Sequence, residues 1–270
     1  MALNGGGGSR KERPSASVAA METTEHAQIA YDAFAPIYDD FNAQNDYESW
    51  FSALLPRLER EGLRTGKLLD VACGTGRAFA PMLRRGWEIT GCDISPAMIA
   101  KAKEKHPGEA ITLDVADMTR LPVYGEFELV WALNDPVNYL VGDGDLQNAL
   151  EAMGANLAAD GLLVFDCNTL MMFRASFEPQ GGLVRGSRWH WQGRGEVGGV
   201  YEADISGEGV ATHTHKERHY SVPEVQRTML NAGLQPVAAL GQREGEDGMS
   251  LADAWDEERD HKIVHVARRS

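Results

Sequence analysis

The sequence has no apolar run near the roughly 20 residues that a bilayer-spanning helix requires, so no membrane partner is expected. Cysteine is scarce: Cys73, Cys92 and Cys167 are the three in 270 residues, and all lie in apolar stretches. Buried free thiols are therefore expected rather than a disulfide framework, and with them a cytoplasmic location. Positive charge is also short, with 26 Lys and Arg against 40 Asp and Glu, a formal net charge of -14, and no basic cluster. A phosphate-backbone partner needs a basic face or stripe, so nucleic acid is not an expected partner. What is present, 43% hydrophobic and 24% charged residues, fits an ordinary soluble globular chain. At 270 residues the length suits one large domain with an insertion, and a homodimer is left open.

Residues 1–22 are rich in Gly, Ser and Ala, with four glycines in a row at Gly5 to Gly8, and read as a disordered tail. From Thr24 the apolar residues recur near a helical period, and a second helix is predicted over 47–61. Strands predicted at 67–73, 88–92, 111–115, 127–132 and 161–166 then alternate with helices at 78–85, 96–105 and 145–157. That alternation implies βαβ units and an α/β, doubly wound, Rossmann-like sheet. The pattern breaks over 171–220 into short alternating strands, read as an inserted antiparallel β lid, and resumes with a helix at 223–232 and strands at 235–240 and 262–267. The expected core is thus one domain over 23–170 and 221–270, with seven mostly parallel strands and an N-terminal helical cap.

Directly after the first strand, Asp70-Val71-Ala72-Cys73-Gly74-Thr75-Gly76-Arg77 puts two glycines where the chain must turn into a helix. Glycine there lets the backbone turn sharply and approach a ligand without a Cβ in the way. A G-x-G alone is weak, since many βα turns use it. Asp93 strengthens it by ending the next strand about twenty residues on, where a carboxylate takes ribose hydroxyls, with Ile94 beside it. Asp117 and Met118 follow the third strand, where an Asp accepts from an adenine amino group and a Met lies on the ring.

These residues resemble the class I S-adenosylmethionine-dependent methyltransferases: Asp70 to Gly76 looks like their first motif, Asp93 like their second acidic one, and the stretch from about Tyr31 to Asp166 follows their pattern. The resemblance implies S-adenosylmethionine as cofactor and S-adenosylhomocysteine as product, held by Asp70, Ala72, Gly74, Gly76, Arg77, Asp93, Ile94, Met98, Asp117, Met118 and Leu133. The stretch Tyr31 to Asp39 resembles the capping helix of small-molecule methyltransferases, with Tyr31 and Tyr38 facing the cofactor and Phe34 and Phe41 in the core. Phe79 and Ala80 stand where the nicotinamide fingerprint has its third glycine, so a nicotinamide-dependent oxidoreductase is the alternative, together with a non-catalytic S-adenosylmethionine-binding protein.

The acceptor side is read from two segments. The loop from Leu133 to Tyr139 leaves the fourth strand at its carboxyl end, where open α/β sheets bind ligands. Asn134, Asn138 and Tyr139 are its candidate substrate contacts, although Asn134 and Asp135 also suit a plain turn. On a strand, His213, His215, Glu217 and His219 share one face by the two-residue period. Three alternating residues already spread over roughly 13 Å, too far for one ion, so no metal is expected. His213, His215 and His219, with Tyr139, are instead the candidate proton acceptors, and His215 a substrate contact. The insertion loosely resembles the substrate covers of methyltransferases acting on amino sugars and other natural products, which implies a small-molecule acceptor methylated on nitrogen or oxygen.

Overall fold

The computed structural model describes residues 16–178, 188–245 and 248–270. Eight strands form one sheet in the order β10-β9-β11-β5-β4-β1-β2-β3. They are β1 (Lys67–Val71), β2 (Glu88–Asp93), β3 (Ile111–Val115), β4 (Phe127–Ala132), β5 (Leu157–Asn168), β9 (Leu234–Gly245), β10 (Gly248–Ala252) and β11 (Lys262–Arg269). The five strands β1 to β5 run parallel, while β11 lies antiparallel between β5 and β9. Seven strands were expected; the eighth, β10, pairs antiparallel with the end of β9 as a hairpin.

Along β1, Leu68 and Leu69 point to opposite faces, as the pleat requires. Leu68 packs beneath Trp50, Phe51, Leu54 and Leu58 of helix α3 (Tyr47–Arg60), which Asp46 caps by accepting the Ser49 N–H at 3.1 Å. Leu69 packs against Leu146, Leu150 and Met153 of α6 (Asp145–Gly154) and Val225 and Met229 of α8 (Val222–Asn231). Both faces of the sheet are thereby covered, which is why its strands read as apolar runs rather than alternating ones. Helix α5 (Pro96–Lys105) starts under two local signals, Pro96 in its first turn and Ser95 accepting the Met98 N–H at 3.1 Å.

The chain passes from β1 to β2 on one side, and β4 lies on the other. The crevice at this reversal, beyond the carboxyl ends of the strands, is the position for a ligand in such a sheet. Two additions stand over it. Helix α1 (Ala16–Phe34) and the single turn α2 (Tyr38–Phe41) form the N-terminal cap. The helix starts at Ala16, inside the stretch expected to be a tail, and residues 1–15 of that expectation lie outside the described residues. A three-stranded antiparallel sheet, β6 (Trp189–Arg194), β7 (Val200–Gly207) and β8 (Val210–Arg218), packs on the cap through Trp189 and Ile205 against Phe34, Ile37 and Phe41. Before it, helix α7 (Leu170–Phe177) occupies part of the range read as strands; Phe173 and Phe177 bury against Tyr201 and Ala203 of β7. Cys73, Cys92 and Cys167 are buried and free, and among the described residues no helix is long and apolar enough to cross a membrane.

Candidate functional site

The loop after β1 holds three residues at positive φ: Ala72 (59°), Gly74 (55°) and Gly76 (81°). Its anchor is Asp93, which accepts the Gly74 N–H at 2.8 Å on one oxygen and the Ser95 N–H at 2.9 Å on the other. Burial pushes the Asp93 carboxyl up to about 6; the two backbone bonds pull the other way, and the Asp32 charge adds to the rise. The cap is tied to this loop and to the start of α5. Asp32 accepts the Ser95 hydroxyl at 2.5 Å and the Ala97 N–H at 3.2 Å, and Asp39 accepts the Thr75 hydroxyl at 2.6 Å and pairs with Lys105.

Under this cap lies a cavity. Ala72, Gly74, Asp93, Ile94, Asp117, Met118 and Leu133 line it from the sheet side, and Tyr31 and Tyr38 from the cap. A Cβ on Gly74 would stand 3.6 Å from the Tyr38 ring, so the glycine leaves an open face toward the cap. Asp117 accepts from the Thr119 N–H and hydroxyl on one oxygen and from Arg120 on the other, which fixes its carboxylate at the cavity edge. A buried carboxylate at the end of β2, a second carboxylate with a methionine after β3, and an apolar floor fit the ribose, adenine and methionine parts of S-adenosylmethionine.

Four residues predicted for this cavity do not line it. A Cβ on Gly76 would meet Phe79 Cζ at 2.6 Å and His106 Nε2 at 3.1 Å, so the missing Cβ makes room for the protein's own packing. Arg77 donates to the Asn42 and Asn45 carbonyls at 2.6 and 3.2 Å and lies over Tyr47, holding the start of α3. Met98 is fully buried in α5. Asp70 is buried in β1, where burial pushes its carboxyl well above the usual range despite the Trp131 indole.

A second, larger cavity of about 460 Å³ adjoins the first, and Tyr31, Tyr38, Leu133, Asn134 and Tyr139 line both. Its aromatic wall includes Phe34, Trp50, Phe177 and Trp191, and its polar wall Asp135, Asp166, Asn168, Glu217 and Lys262. Asn134 and Asp135 have φ of 72° and 60°, a left-handed pair that costs energy without glycine. Asp166 holds it by accepting the Asn134 N–H at 3.1 Å and the Asp135 N–H at 2.5 Å. Lys262 closes the group, with its ammonium 2.5 Å from Asp135 and 3.5 Å from Asp166. Burial pushes that ammonium down, but the two carboxylates outweigh it and hold its pKa above the ordinary lysine value.

The candidates on the acceptor side are divided. Tyr139 and Asn134 line both cavities. Asn138 does not: it is fully buried, donates to the Arg218 carbonyl at 2.8 Å and accepts the Asn168 N–H at 2.9 Å, and so clamps the loop to β8 and β5. His213, His215 and Glu217 do share the buried face of β8, but only Glu217 lines a cavity. His215 is buried behind Tyr139, its Nδ1 2.8 Å from the Tyr139 hydroxyl and its ring stacked on Trp191. Burial, then the neighbouring His213, holds its pKa well below the ordinary histidine value, so it stays neutral. His213 bonds the Ala211 carbonyl at 2.8 Å, and His219, past the end of β8, pairs with Glu257 at 2.6 Å against the edge of Phe173. Sequence reasoning passed over Asp135, Asp166, Asn168, Glu217 and Lys262. For Glu217 the signal was there, in the same parity as His213 and His215.

Residues 68–161 match the family described as methyltransferase domain. A Geobacillus sp. (strain WCH70) protein named as a methyltransferase is 31% identical over 144 residues, 52% of this chain and 58% of the relative. The chain therefore spans less than two thirds of that relative's length. The dTDP-3-amino-3,6-dideoxy-alpha-D-glucopyranose N,N-dimethyltransferase of Streptomyces fradiae is 29% identical over 121 residues, 45% of this chain and 47% of the relative. An S-adenosylmethionine-dependent methyltransferase from Clostridium acetobutylicum shares the fold, with a TM-score of 0.71 at 21% identity over 89% of this chain and 99% of that one. The nicotinamide alternative gains no support from these similarities. The matched methyltransferase domain runs from β1 to the start of β5, and the fold around it is the one this solved S-adenosylmethionine-dependent methyltransferase has.

Proposed function

We propose that the protein moves a methyl group from S-adenosylmethionine to a nitrogen or oxygen of a small molecule held in the larger cavity. The observation that carries this reading is the shared wall of Tyr31, Tyr38, Leu133, Asn134 and Tyr139, which puts the cofactor cavity and the second one side by side. S-adenosylmethionine, when bound, supplies an electrophilic methyl carbon and is left as S-adenosylhomocysteine. An in-line displacement needs little covalent help, so the work of the chain is to orient the acceptor and exclude water. Asp93, Asp117 and Met118 hold the nucleoside, and the Gly74 loop faces the amino-acid part. Burial raises the hydroxyl pKa of Tyr31, Tyr38 and Tyr139 well above the ordinary value, so all three stay protonated and can orient an acceptor lone pair by hydrogen bonding. His215 acts behind Tyr139 as a positioning residue.

The amino-sugar relative supports a small-molecule acceptor; its sugar is not carried over to this chain. Incubation with methyl-labelled S-adenosylmethionine and a panel of small amines and alcohols tests the reading by mass spectrometry. The expected result is a labelled product with matching S-adenosylhomocysteine. Tight cofactor binding with no product from any acceptor would favour a non-catalytic binding protein, and no cofactor binding at all would refute the assignment of the smaller cavity.

A further inference from the structure

Five charged side chains line the larger cavity from its polar end and rim: Asp46, Asp135, Asp166, Glu217 and Lys262. Asp46 is engaged in capping α3. Asp135 and Asp166 share the Lys262 ammonium, and Asp166 accepts two backbone N–H groups besides. Glu217 is left over. It is 2% exposed, and its hydrogen-bonding neighbours are the neutral Asn168 side-chain amide, at 3.3 Å, and the Tyr139 hydroxyl. The groups facing it are Asp135 and Lys262 on the sheet side, Asn168 at the end of β5, Tyr139 on the loop after β4, and Tyr31 from the cap. A carboxylate buried against aromatic rings with no cation of its own is costly, and the cost is relieved by a proton or by a cation brought from outside.

Resting on the methyl-transfer reading above, we propose that Glu217 is the acceptor-recognition residue of the larger cavity: it binds the ammonium group of a small amine and takes one of its protons. In that step an N–H bond of the ammonium breaks with its electron pair staying on nitrogen, and an O–H bond forms on Glu217. The nitrogen is left with the free lone pair that methylation needs, and no other reactant is involved. An alcohol of the same shape gives the carboxylate no charge to pair with. The environment suits the exchange: burial and then the Asp135 charge push the Glu217 carboxyl up to about 8, with Asn168, Lys262 and Tyr139 opposing. Near neutral pH the free protein therefore holds a proton on Glu217; as the ammonium binds, that proton leaves to solvent, and the carboxylate so formed pairs with the ammonium and then takes one of its protons.

The test uses the full chain saturated with S-adenosylhomocysteine, titrated calorimetrically with benzylamine and with benzyl alcohol near neutral pH, in two buffers of different ionisation enthalpy. Wild-type protein should bind benzylamine roughly tenfold or more tightly than benzyl alcohol, the worth of one charge-assisted pair, and release a proton as it does so. Glu217→Gln, which keeps the shape and the carbonyl facing Asn168, should lose both the preference and the proton release. Its affinities for benzyl alcohol and for S-adenosylhomocysteine should stay at the wild-type values, which also shows that the variant is folded. Wild-type protein that takes the amine no better than the alcohol, or a Glu217→Gln variant that keeps the preference and the proton release, overturns the proposal. Failure to bind S-adenosylhomocysteine would instead count against the methyl-transfer reading itself.

Discussion

Replacing Asp93 by Asn keeps the side chain's size and removes its charge, and the structure separates two consequences by pH. Each Asp93 oxygen accepts one backbone N–H, from Gly74 at 2.8 Å and Ser95 at 2.9 Å. The Asn amide can accept only one of them, so the other buried donor faces an NH₂ group at a cost of ~1–3 kcal/mol. The cofactor also loses a charged acceptor for its ribose, roughly 1.5–3 kcal/mol, which raises Kd by about 10- to 150-fold. Burial raises the Asp93 pKa from 3.8 to about 6 in the folded protein, so between those values the native state binds more protons than the unfolded chain. The corresponding stability is present below about pH 4 and is lost as pH climbs through about 6, to the extent of ~3 kcal/mol. An Asn does not titrate. Asp93→Asn should therefore destabilise most near pH 4 and least above about pH 7. Ligand affinity runs the other way, because the ribose needs the carboxylate: wild-type Kd for S-adenosylhomocysteine should rise as pH falls below about 6, while that of the variant stays flat. Urea unfolding and calorimetric titration across this range measure both. A folded variant with wild-type affinity, or a wild-type affinity indifferent to pH through 6, would refute the assignment of Asp93 to the ribose.

Gly76→Ala should destabilise the fold by more than ~1 kcal/mol, because φ is +81° and the new Cβ meets the Phe79 ring at 2.6 Å, whereas Gly74→Ala, with its nearest contact at 3.6 Å, should cost less stability. Thermal unfolding decides it, and a Gly76→Ala protein as stable as wild type would contradict the packing argument. Lys262→Met leaves Asp135 and Asp166 buried without their ammonium and should cost about 3–5 kcal/mol. Burial raises the Asp135 pKa, so its carboxylate takes up a proton as pH falls and relieves the loss. The penalty should accordingly be larger near pH 8 than near pH 5 by chemical denaturation, and equal penalties at the two would show that charge is not its origin.

The parallel half of the sheet was legible because its signals are local. Strands such as Lys67–Val71, buried from Leu68 onward, are short apolar runs, and Ser95 with Pro96 marks a helix start whatever the rest of the chain does. The strand Gly248–Ala252 was missed for the complementary reason: Gly-Met-Ser-Leu-Ala has no β-branched residue, its alternation over Met249 to Leu251 is too short to signal a strand alone, and its pairing with the end of β9 makes it one. Helix α7 was absorbed into the lid because Leu170–Phe177 is apolar nearly throughout, and a short apolar run does not reveal its period.

The two halves of the site differ in the same way. Asp93 and Met118 follow from their places after successive strands, and the spacing that suggests them is also what brings them to one cavity. Spacing does not say which way a side chain, or a missing Cβ, faces. Gly74 opens toward the cap and Gly76 toward Phe79, two residues apart in one motif. Arg77 and Asn138 look equally available in sequence, yet both spend their hydrogen bonds on backbone carbonyls of neighbouring segments. On β8 the parity of His213, His215 and Glu217 was readable, but the element packed against that face was not. The cap and Trp191 cover the histidines, leaving the carboxylate at the cavity. Asp135, Asp166, Glu217 and Lys262 come from three strands and a loop spread over nearly half the chain, and no local pattern couples them. What couples them is charge: once Lys262 is committed to Asp135 and Asp166, Glu217 has no cation left among the side chains that face it. The chemistry of the acceptor is thus written in a balance of charges that only the folded chain assembles.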